Sequence, residues 1–215
     1  MKKVVLIGDS IRLGYQNYVK SALDGVAEVY YPEENCRFAQ FVLRFAHEWK
    51  RLGKWPDDID VVHWNAGSWD VLRIYDDGPL TPPEFYGDLI KRVDKRLRKI
   101  FPNAKMVFAT TCSIVEEGYK GEKYHRYNKE IEEFNKIALD ALKDTDTEIN
   151  DLYTLTTTLP KEYRSDEAHW NTPDGVKMLG GQVLSYVCKA IDVKPEELAQ
   201  PDCIPANISA KILGV

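Results

Sequence analysis

The stretch KVVLIGDSIRLG, residues 3–14, decides the fold. Its first part, Lys3–Ile7, contains a continuous apolar run with two valines and an isoleucine, which is typical of a strand buried on both faces of a parallel sheet. Gly8 and Asp9 interrupt the run, and a helix is expected to follow them. Since a strand that leads directly into a helix is the repeating unit of α/β proteins, we expect Ser10 at the carboxyl end of the first strand of such a protein.

Four more runs of strand type are separated by stretches of helical period. The strands are expected at Ala27–Tyr31, Asp60–Asn65, Lys105–Thr111 and Glu148–Leu152. The inward faces of the helices between them are expected to be Phe38, Phe41, Val42, Phe45 and Trp49, then Phe85, Leu89, Val93, Leu97 and Ile100, then Ile131, Phe134, Ala138 and Leu142. In the last helix, Thr172 is placed to cap the first turn, Pro173 follows, and the inward residues are Val176, Leu179, Val183 and Val187. This alternation predicts an α/β fold, a three-layer α/β/α sandwich around a five-stranded, doubly wound parallel sheet of flavodoxin-like type.

Length and charge limit the possible organisation and partners. A chain of 215 residues suits one domain, expected at residues 1–194, with residues 195–215 as a C-terminal arm packed on the same domain. The formal net charge of −5 gives no basic surface, which argues against nucleic acid and acidic membrane surfaces as partners. No apolar run approaches the roughly 20 residues that span a bilayer, so no membrane span is expected. The oligomeric state stays open.

The start of the chain and its cysteines indicate a compartment. The apolar run Val4–Gly8 is too short for the apolar region of a signal peptide, and Asp9 follows it at once. The four cysteines show no spacing of the kind that binds metal; they are Cys36, Cys112, Cys188 and Cys203. We therefore expect free thiols, no metal site and a cytoplasmic protein.

Two segments carry residues suited to nucleophilic chemistry. A hydroxyl at Ser10, between a strand and a helix, lies beside unpaired helix N–H groups that favour a developing oxyanion, although Asp9 or Ser10 can also simply cap the helix. Asp166 and His169 lie three residues apart, just before the last helix. A serine nucleophile needs a base to take its proton, and the base needs an anion on its other nitrogen. The three residues together predict a catalytic site where both loops open on one edge of the sheet.

In these segments the sequence resembles the SGNH hydrolases, also called GDSL lipases and esterases. The family motif Gly-Asp-Ser-x-x-x-Gly matches Gly8 to Gly14, the motif Asp-x-x-His matches Asp166 to His169, and Gly175 in the following helix also fits. The order of elements agrees over roughly residues 3 to 191. The resemblance implies hydrolysis of an ester through an acyl-enzyme, without a metal or organic cofactor. It also implies that Ser10 attacks, that His169 is general base and then acid, and that Asp166 orients His169.

The middle family motifs are altered, which leaves the oxyanion donors open. Where the family has Gly-x-Asn-Asp, this chain has Gly67, Ser68, Trp69 and Asp70, so tryptophan replaces the asparagine that donates to the oxyanion. Asn65 is a candidate replacement donor, and the alternative is that it only holds the loop. After the second strand there is no glycine, and a backbone N–H of Ser10, Asn35 or Cys36, or the Asn35 side chain, is a candidate donor. Cys36 is otherwise interpreted as a buried small residue.

The substrate class is indicated only by the aromatic residues beside these motifs. Gly67, Trp69 and Trp170 are expected to line the substrate pocket, and aromatic walls would suit a sugar ring, although such residues are commonly part of a core. We therefore expect an esterase for a small or carbohydrate-linked acyl group, most simply an acetylated sugar. The alternative is a catalytically weak or non-enzymatic carbohydrate-binding relative. A phosphorylated receiver domain shares the architecture, but its acidic cluster is not matched by the isolated Asp9 and Asp70.

Overall fold

The computed structural model describes residues 1–119 and 123–203. It has seven strands: β1 (Lys2–Ile7), β2 (Ala27–Tyr30), β3 (Val61–Trp64), β4 (Arg73–Ile74), β5 (Lys105–Ala109), β6 (Tyr124–His125) and β7 (Glu148–Asn150). Its six α-helices are α1 (Ser10–Ala22), α2 (Ala39–Gly53), α3 (Pro83–Ile100), α4 (Asn128–Leu142), α5 (Leu152–Thr158) and α6 (Pro173–Ile191). Five strands form one parallel sheet in the order β2-β1-β3-β5-β7, while β4 and β6 form a small antiparallel pair.

The sheet is covered on both faces, as the alternation of strands and helices predicted. Side chains alternate along β1, so Val5 and Ile7 join the core beneath α2, α3 and α4, while Val4 and Leu6 join the core beneath α1 and α6. All four of these side chains are fully buried. Reversal of the strand order on either side of β1 creates a crevice at the carboxyl ends of β1 and β3, where ligands bind in folds of this type. The predicted three-layer, five-stranded parallel architecture is confirmed.

Most predicted elements agree with the structure to within one or two residues, and two predictions, one of a helix face and one of a strand, need correction. The predicted inward faces of α4 and α6 are buried, and the Thr172 hydroxyl accepts the N–H of Gly175 at 3.1 Å as the cap. In α3, however, Phe85 is 61% exposed and the inward residues are Tyr86 and Ile90. The predicted last strand is also shorter than expected, because Asp151 caps α5 by accepting the N–H of Thr154.

His63, interpreted from the sequence as a packed residue of β3, is fully buried. Its Nδ1 lies 3.4 Å from the hydroxyl of Tyr15, and its Nε2 lies 3.0 Å from the amide nitrogen of Asn150. Burial lowers the pKa of His63 to about 3, so the ring is neutral at pH 7. The residue is part of the scaffold and takes no part in the site described below.

The described part of the C-terminal arm packs against the end of α1. The N–H of Ala199 donates to the carbonyl of Ala22 at 3.0 Å, and the N–H of Asp202 donates to the hydroxyl of Ser21 at 2.9 Å. Residues 204–215 of the expected arm lie outside the described residues, so its full extent stays a prediction. The four cysteines are free, and no helix of the described chain is long and apolar enough to cross a membrane.

Candidate active site

The structure brings Ser10, His169 and Asp166 into one hydrogen-bonded chain. Ser10 is the first residue of α1, and its Oγ lies 2.8 Å from Nε2 of His169. On the other side of the ring, Nδ1 of His169 lies 2.9 and 2.8 Å from the two carboxylate oxygens of Asp166. This is the order of hydroxyl, imidazole and carboxylate in which a base can accept the hydroxyl proton while an anion holds the ring.

The loop that carries Asp166 and His169 is held in a tight turn by its own backbone. Oδ1 of Asp166 accepts the N–H groups of Ala168 and His169 at 2.8 and 2.7 Å, as Asp side chains often do in turns. The N–H of Ser165 closes the turn by donating to the carbonyl of His169 at 2.9 Å. The neighbouring loop also supports it, since the N–H of Val115 donates to the carbonyl of Glu167 at 2.8 Å. The spacing of three residues therefore lets Asp166 bind both the backbone and the ring of His169.

The Asp166 carboxyl is suited to remain an anion in this turn. Partial burial would raise its pKa, but the hydrogen bond and charge of His169 and the N–H groups of Ala168 and His169 outweigh burial and lower the pKa to about 2. An ionised Asp166 at neutral pH favours the tautomer of His169 that carries its proton on Nδ1 and leaves Nε2 free to accept. That tautomer is the one a general base requires at the Ser10 side.

The backbone N–H of Ser10 is available to an oxyanion. As the first residue of α1 it has no intrahelical acceptor, and no backbone carbonyl of the described residues accepts from it outside the helix. Asp9 precedes it as the cap of the helix, with Oδ1 accepting the N–H of Ile11 at 2.9 Å. Ser10 is only 5% exposed, so a charge that develops there lies close to the positive end of α1 and is little screened by water.

The prediction that Cys36 donates to the oxyanion is corrected by the structure. The N–H of Cys36 donates to the carbonyl of Gly8 at 3.1 Å, so it already has an acceptor. The thiol is fully buried beside the guanidinium of Arg12, and burial raises its pKa, which makes it a poor nucleophile. Asn35 stays a candidate: its Oδ1 accepts the N–H of Arg37 at 2.8 Å, while its Nδ2 is buried and lacks an acceptor among the described residues.

Asn65 lines a small cavity that is also lined by Asp9, the residue before Ser10. The cavity has a volume of about 10 Å³, the size of one water molecule, and Thr111 and Ala168 are among the residues that line it. Oδ1 of Asn65 packs against Gly8, where a Cβ atom would lie only 2.0 Å away. Burial raises the pKa of Asp9, whereas the N–H of Ile11 and the Asn65 amide lower it. Asn65 thus lies next to Gly8 and Asp9, the two residues before the nucleophile, and its role as a donor stays a prediction.

Two of the three predicted pocket residues are placed elsewhere by the structure. Trp170 is 2% exposed in the core between α1 and α6, and the guanidinium of Arg164 lies 3.8 Å from its ring centroid. Gly67 is buried with a φ of +148°, and a Cβ atom there would lie 2.1 Å from Oγ1 of Thr111. Both residues are therefore packing positions and present no pocket wall. Trp69 is half-buried, and its predicted contact with substrate stays a prediction.

Two residues that the sequence interpretation did not single out hold the loops around Ser10. Arg12 is fully buried and donates from Nη1 to the carbonyl of Pro32 at 2.9 Å and from Nη2 to the carbonyl of Glu34 at 2.5 Å. Asp70 is also fully buried, and its two oxygens accept the N–H of Ala39 at 3.2 and 3.0 Å. A charged residue inside a motif is a weak sequence signal for such a role, because the partners lie 20 to 31 residues away along the chain.

Solved structures of esterases and lipases share this fold. A lipase/acylhydrolase from Enterococcus faecalis has a TM-score of 0.68 and 17% identity, over 94% of this chain and 100% of its own. An acetyl xylan esterase has a TM-score of 0.66 and 20% identity, over 86% of this chain and 99% of its own. A GDSL-like lipase from Bacteroides thetaiotaomicron has a TM-score of 0.62 and 18% identity, over 88% of this chain and 89% of its own.

No protein-family model and no curated protein sequence matches the chain. The structural matches nevertheless extend over most of the chain, and over most of each matched chain. The chain has the fold of the SGNH hydrolases, and the resemblance predicted from the motifs at Ser10 and His169 is confirmed at the level of the fold.

Proposed function

We propose that the protein is a serine esterase that removes a short acyl group, most simply acetyl, from a carbohydrate or other small alcohol. The observation that carries the proposal is the continuous chain from Ser10 Oγ through the His169 ring to the Asp166 carboxylate. The shared fold with lipases and esterases supports the same reaction class. Asp166 is the anion that this chemistry requires, because its pKa is lowered to about 2.

In the proposed reaction, Ser10 Oγ attacks the acyl carbon while His169 Nε2 takes the hydroxyl proton. The carbonyl oxygen becomes an oxyanion, which the N–H of Ser10 at the start of α1 stabilises together with the Asn65 amide and the Asn35 amide as candidate donors. His169 then gives its proton to the departing alcohol, which leaves the acyl group on Ser10. Water attacks this acyl-enzyme as His169 accepts its proton, and the carboxylic acid and Ser10 are released.

The surroundings of Ser10 favour a short acyl group. A long acyl chain needs an apolar groove or tunnel that begins at the nucleophile. Neither Ser10 nor His169 lines the three cavities of about 290 to 470 Å³ found among the described residues, and the cavity lined by their neighbours Asp9, Ile11 and Ala168 has a volume of only about 10 Å³. The acetyl xylan esterase of the same fold and the half-buried Trp69 support an acetylated sugar as the substrate.

A fluorophosphonate probe with peptide mapping tests this proposal. The probe should label the peptide that contains Ser10 in the wild type and not in Ser10→Ala, and the same variant should lose at least a thousandfold in the rate of p-nitrophenyl acetate hydrolysis. Ser185→Ala is the matched control, since its exposed hydroxyl bonds only within α6 at 2.7 Å. Equal labelling and turnover in Ser10→Ala would exclude the serine mechanism.

The competing function, a catalytically weak carbohydrate-binding relative, is favoured by the altered oxyanion motifs at Asn35–Arg37 and Gly67–Asp70. The same experiment separates the two functions. A wild-type protein that is neither labelled nor active, but binds xylan fragments in a titration, would support the binding protein. Labelling at Ser10 with measurable turnover would support the esterase.

A further inference from the structure

Arg126 connects two loops at the edge of the proposed active site. Its Nε donates to the carbonyl of Ser68 at 2.6 Å, and its Nη1 donates to the hydroxyl of Tyr119 at 2.9 Å. Ser68 lines the same small cavity as Ile11, which follows Ser10, and Ala168, which precedes His169. The two hydrogen bonds therefore hold the half-buried guanidinium against the loop that borders this cavity.

The charge of Arg126 acts on the site but is not neutralised by an ion pair there. Burial raises the pKa of Asp9, and the charge of Arg126 is among the effects that lower it, together with that of His169. Within residues 1–119 and 123–203, no carboxylate lies within ion-pair distance of Arg126, and no atom accepts a hydrogen bond from its Nη2. Because Nη2 is not among the buried side-chain atoms of the described residues that lack a partner, it is open to solvent and available to an anion.

Three other partly buried arginines have evident structural roles. Arg73 pairs with Glu130, and Arg98 lies 2.8 Å from Asp94 and 2.6 Å from Asp146. Arg164 donates to the carbonyl and hydroxyl of Ser113 at 2.8 and 2.9 Å and covers Trp170. Arg126 differs from them because its two bonds fix its position and leave one terminal nitrogen without a partner among the described residues.

Tyr119 adds a second donor beside the guanidinium. Its hydroxyl oxygen accepts from Arg126 Nη1, so its own proton is left to donate. Burial raises the pKa of Tyr119, with the Arg126 charge opposing, so the hydroxyl keeps its proton at neutral pH. A cationic N–H and a phenolic O–H side by side match the two oxygens of one carboxylate.

We propose that Arg126, assisted by Tyr119, binds a carboxylate on the alcohol part of the ester substrate and so determines specificity. The inference rests on the proposed esterase function. The alcohol part is the part concerned, because the cavity lined by Asp9, Ile11 and Ala168, the neighbours of Ser10 and His169, has a volume of only about 10 Å³ and does not hold a larger acyl group. The substrate class is then an acetyl ester of an alcohol that carries a carboxylate, such as an acidic sugar.

Hydrolysis of 4-acetoxybenzoate and of its neutral methyl ester tests the inference. The two esters share the acetyl group and differ in the charge of the alcohol part. Arg126→Gln should lower kcat/KM for 4-acetoxybenzoate ten- to a hundredfold, mainly through KM, and should change kcat/KM for the methyl ester less than twofold. Arg126→Lys should recover part of the loss, because it keeps the charge without the planar fork. Arg92→Gln, on the exposed face of α3, is the control and should change neither substrate.

Binding of the product 4-hydroxybenzoate provides a readout that does not need turnover. Titration into Ser10→Ala and into Ser10→Ala/Arg126→Gln should show at least tenfold weaker binding to the second protein. Equal binding, or equal losses for both esters in Arg126→Gln, would show that Arg126 is only a clamp between loops and would overturn the inference. A wild type that hydrolyses neither ester and escapes the fluorophosphonate label would instead overturn the esterase function, while the titration still decides the role of Arg126.

Discussion

Ser10 takes its position from the residues on either side of it in the motif. Asp9 caps α1 through the N–H of Ile11, which fixes the direction in which the helix leaves β1. Arg12, in the first turn of the helix, binds the carbonyls of Pro32 and Glu34 and so holds the loop after β2 against the same turn. A buried guanidinium without a carboxylate partner is tolerated here because its N–H groups have carbonyl acceptors. The motif around Ser10 is thus a scaffold as much as a source of the nucleophile.

The kinetic effects of Asn65 and Trp69 should differ because of where the two residues lie. Asn65 packs against Gly8 and Asp9, just before the nucleophile, whereas Trp69 is half-buried in the turn after β3. If the Asn65 amide stabilises the oxyanion, Asn65→Ala should lower kcat on the order of 10²–10³-fold with little change in KM. Trp69→Ala should chiefly change KM and the preference between p-nitrophenyl acetate and an acetylated sugar. Steady-state kinetics of both variants measure the difference.

An unchanged kcat in Asn65→Ala would instead indicate a structural role for Asn65. The Asn65 amide lies beside the buried Asp9 carboxyl and against Gly8, so it can also serve only to hold that carboxyl in place. A near-normal kcat in Asn65→Ala, accompanied by lower thermal stability, would show this role. The oxyanion would then depend on the N–H of Ser10 and on Asn35.

At the scale of elements, Asp70 links the turn after β3 to the start of α2. Burial raises its pKa to about 6, although the Thr81 hydroxyl and the Ala39 N–H both lower it. Between pH 3.8, which is the ordinary pKa of this carboxyl, and about pH 6, Asp70 keeps its proton in the folded protein but has released it in the unfolded chain. The contribution of Asp70 to stability is therefore complete below pH 4 and is lost as the pH rises through 6, by about 3 kcal/mol in total.

Asp70→Asn should remove this dependence, because asparagine keeps an acceptor for Ala39 and does not ionise. We expect the free energy of unfolding of the wild type, relative to Asp70→Asn, to fall on the order of 2–3 kcal/mol between pH 4 and pH 7 in urea titrations. His63, which is buried and neutral, changes the pH dependence of stability in the opposite direction. This effect is the same in both proteins and cancels in the comparison. Asp88→Asn, on the exposed face of α3, is the control. A constant difference across this range would contradict a raised pKa at Asp70.

The elements were predictable where one signal dominates and not where two compete. The three central strands β1, β3 and β5 were predicted because their apolar runs are nearly continuous, whereas the two-residue strands β4 and β6 were not predicted. On α3, by contrast, Phe85 and Tyr86 begin two periodic sets that share Val93 and Leu97, and the choice depends on the bond from the Tyr86 hydroxyl to the Ala66 carbonyl at 2.7 Å. The threonines of α5 favour a strand by propensity, and the Asp151 cap overrides them.

At the scale of the whole molecule, the topology explains why part of the site was predictable. Parallel strands end on one edge of the sheet, so the loops after β1 and before α6 meet there even though Ser10 and His169 are 159 residues apart. The place of Cys36 depends instead on a partner far along the chain, the Gly8 carbonyl, and that of Trp170 depends on burial in the core formed by α1 and α6. No local pattern in the sequence encodes these contacts.

The same topology separates the proposed active site from the C-terminal arm. Ser10 and Ala22 are the two ends of α1, whose 13 residues span about 20 Å. The arm binds the far end, through the bonds of Ala199 to Ala22 and of Asp202 to Ser21. A chain that ends at Leu198 loses both bonds, whereas a chain that ends at Cys203 keeps them and is the matched control.

Truncation at Leu198 should therefore lower stability without affecting turnover. Two hydrogen bonds and the packing of Cys203 are together worth about 1–2 kcal/mol, which corresponds to a fall in Tm of about 2–8 °C for a chain of this size. The value of kcat/KM for p-nitrophenyl acetate, measured well below the Tm, should equal that of the chain ending at Cys203. Loss of turnover in a truncated protein that remains folded by circular dichroism would show that the end of α1 and the Ser10 site are coupled, contrary to the separation seen in the fold.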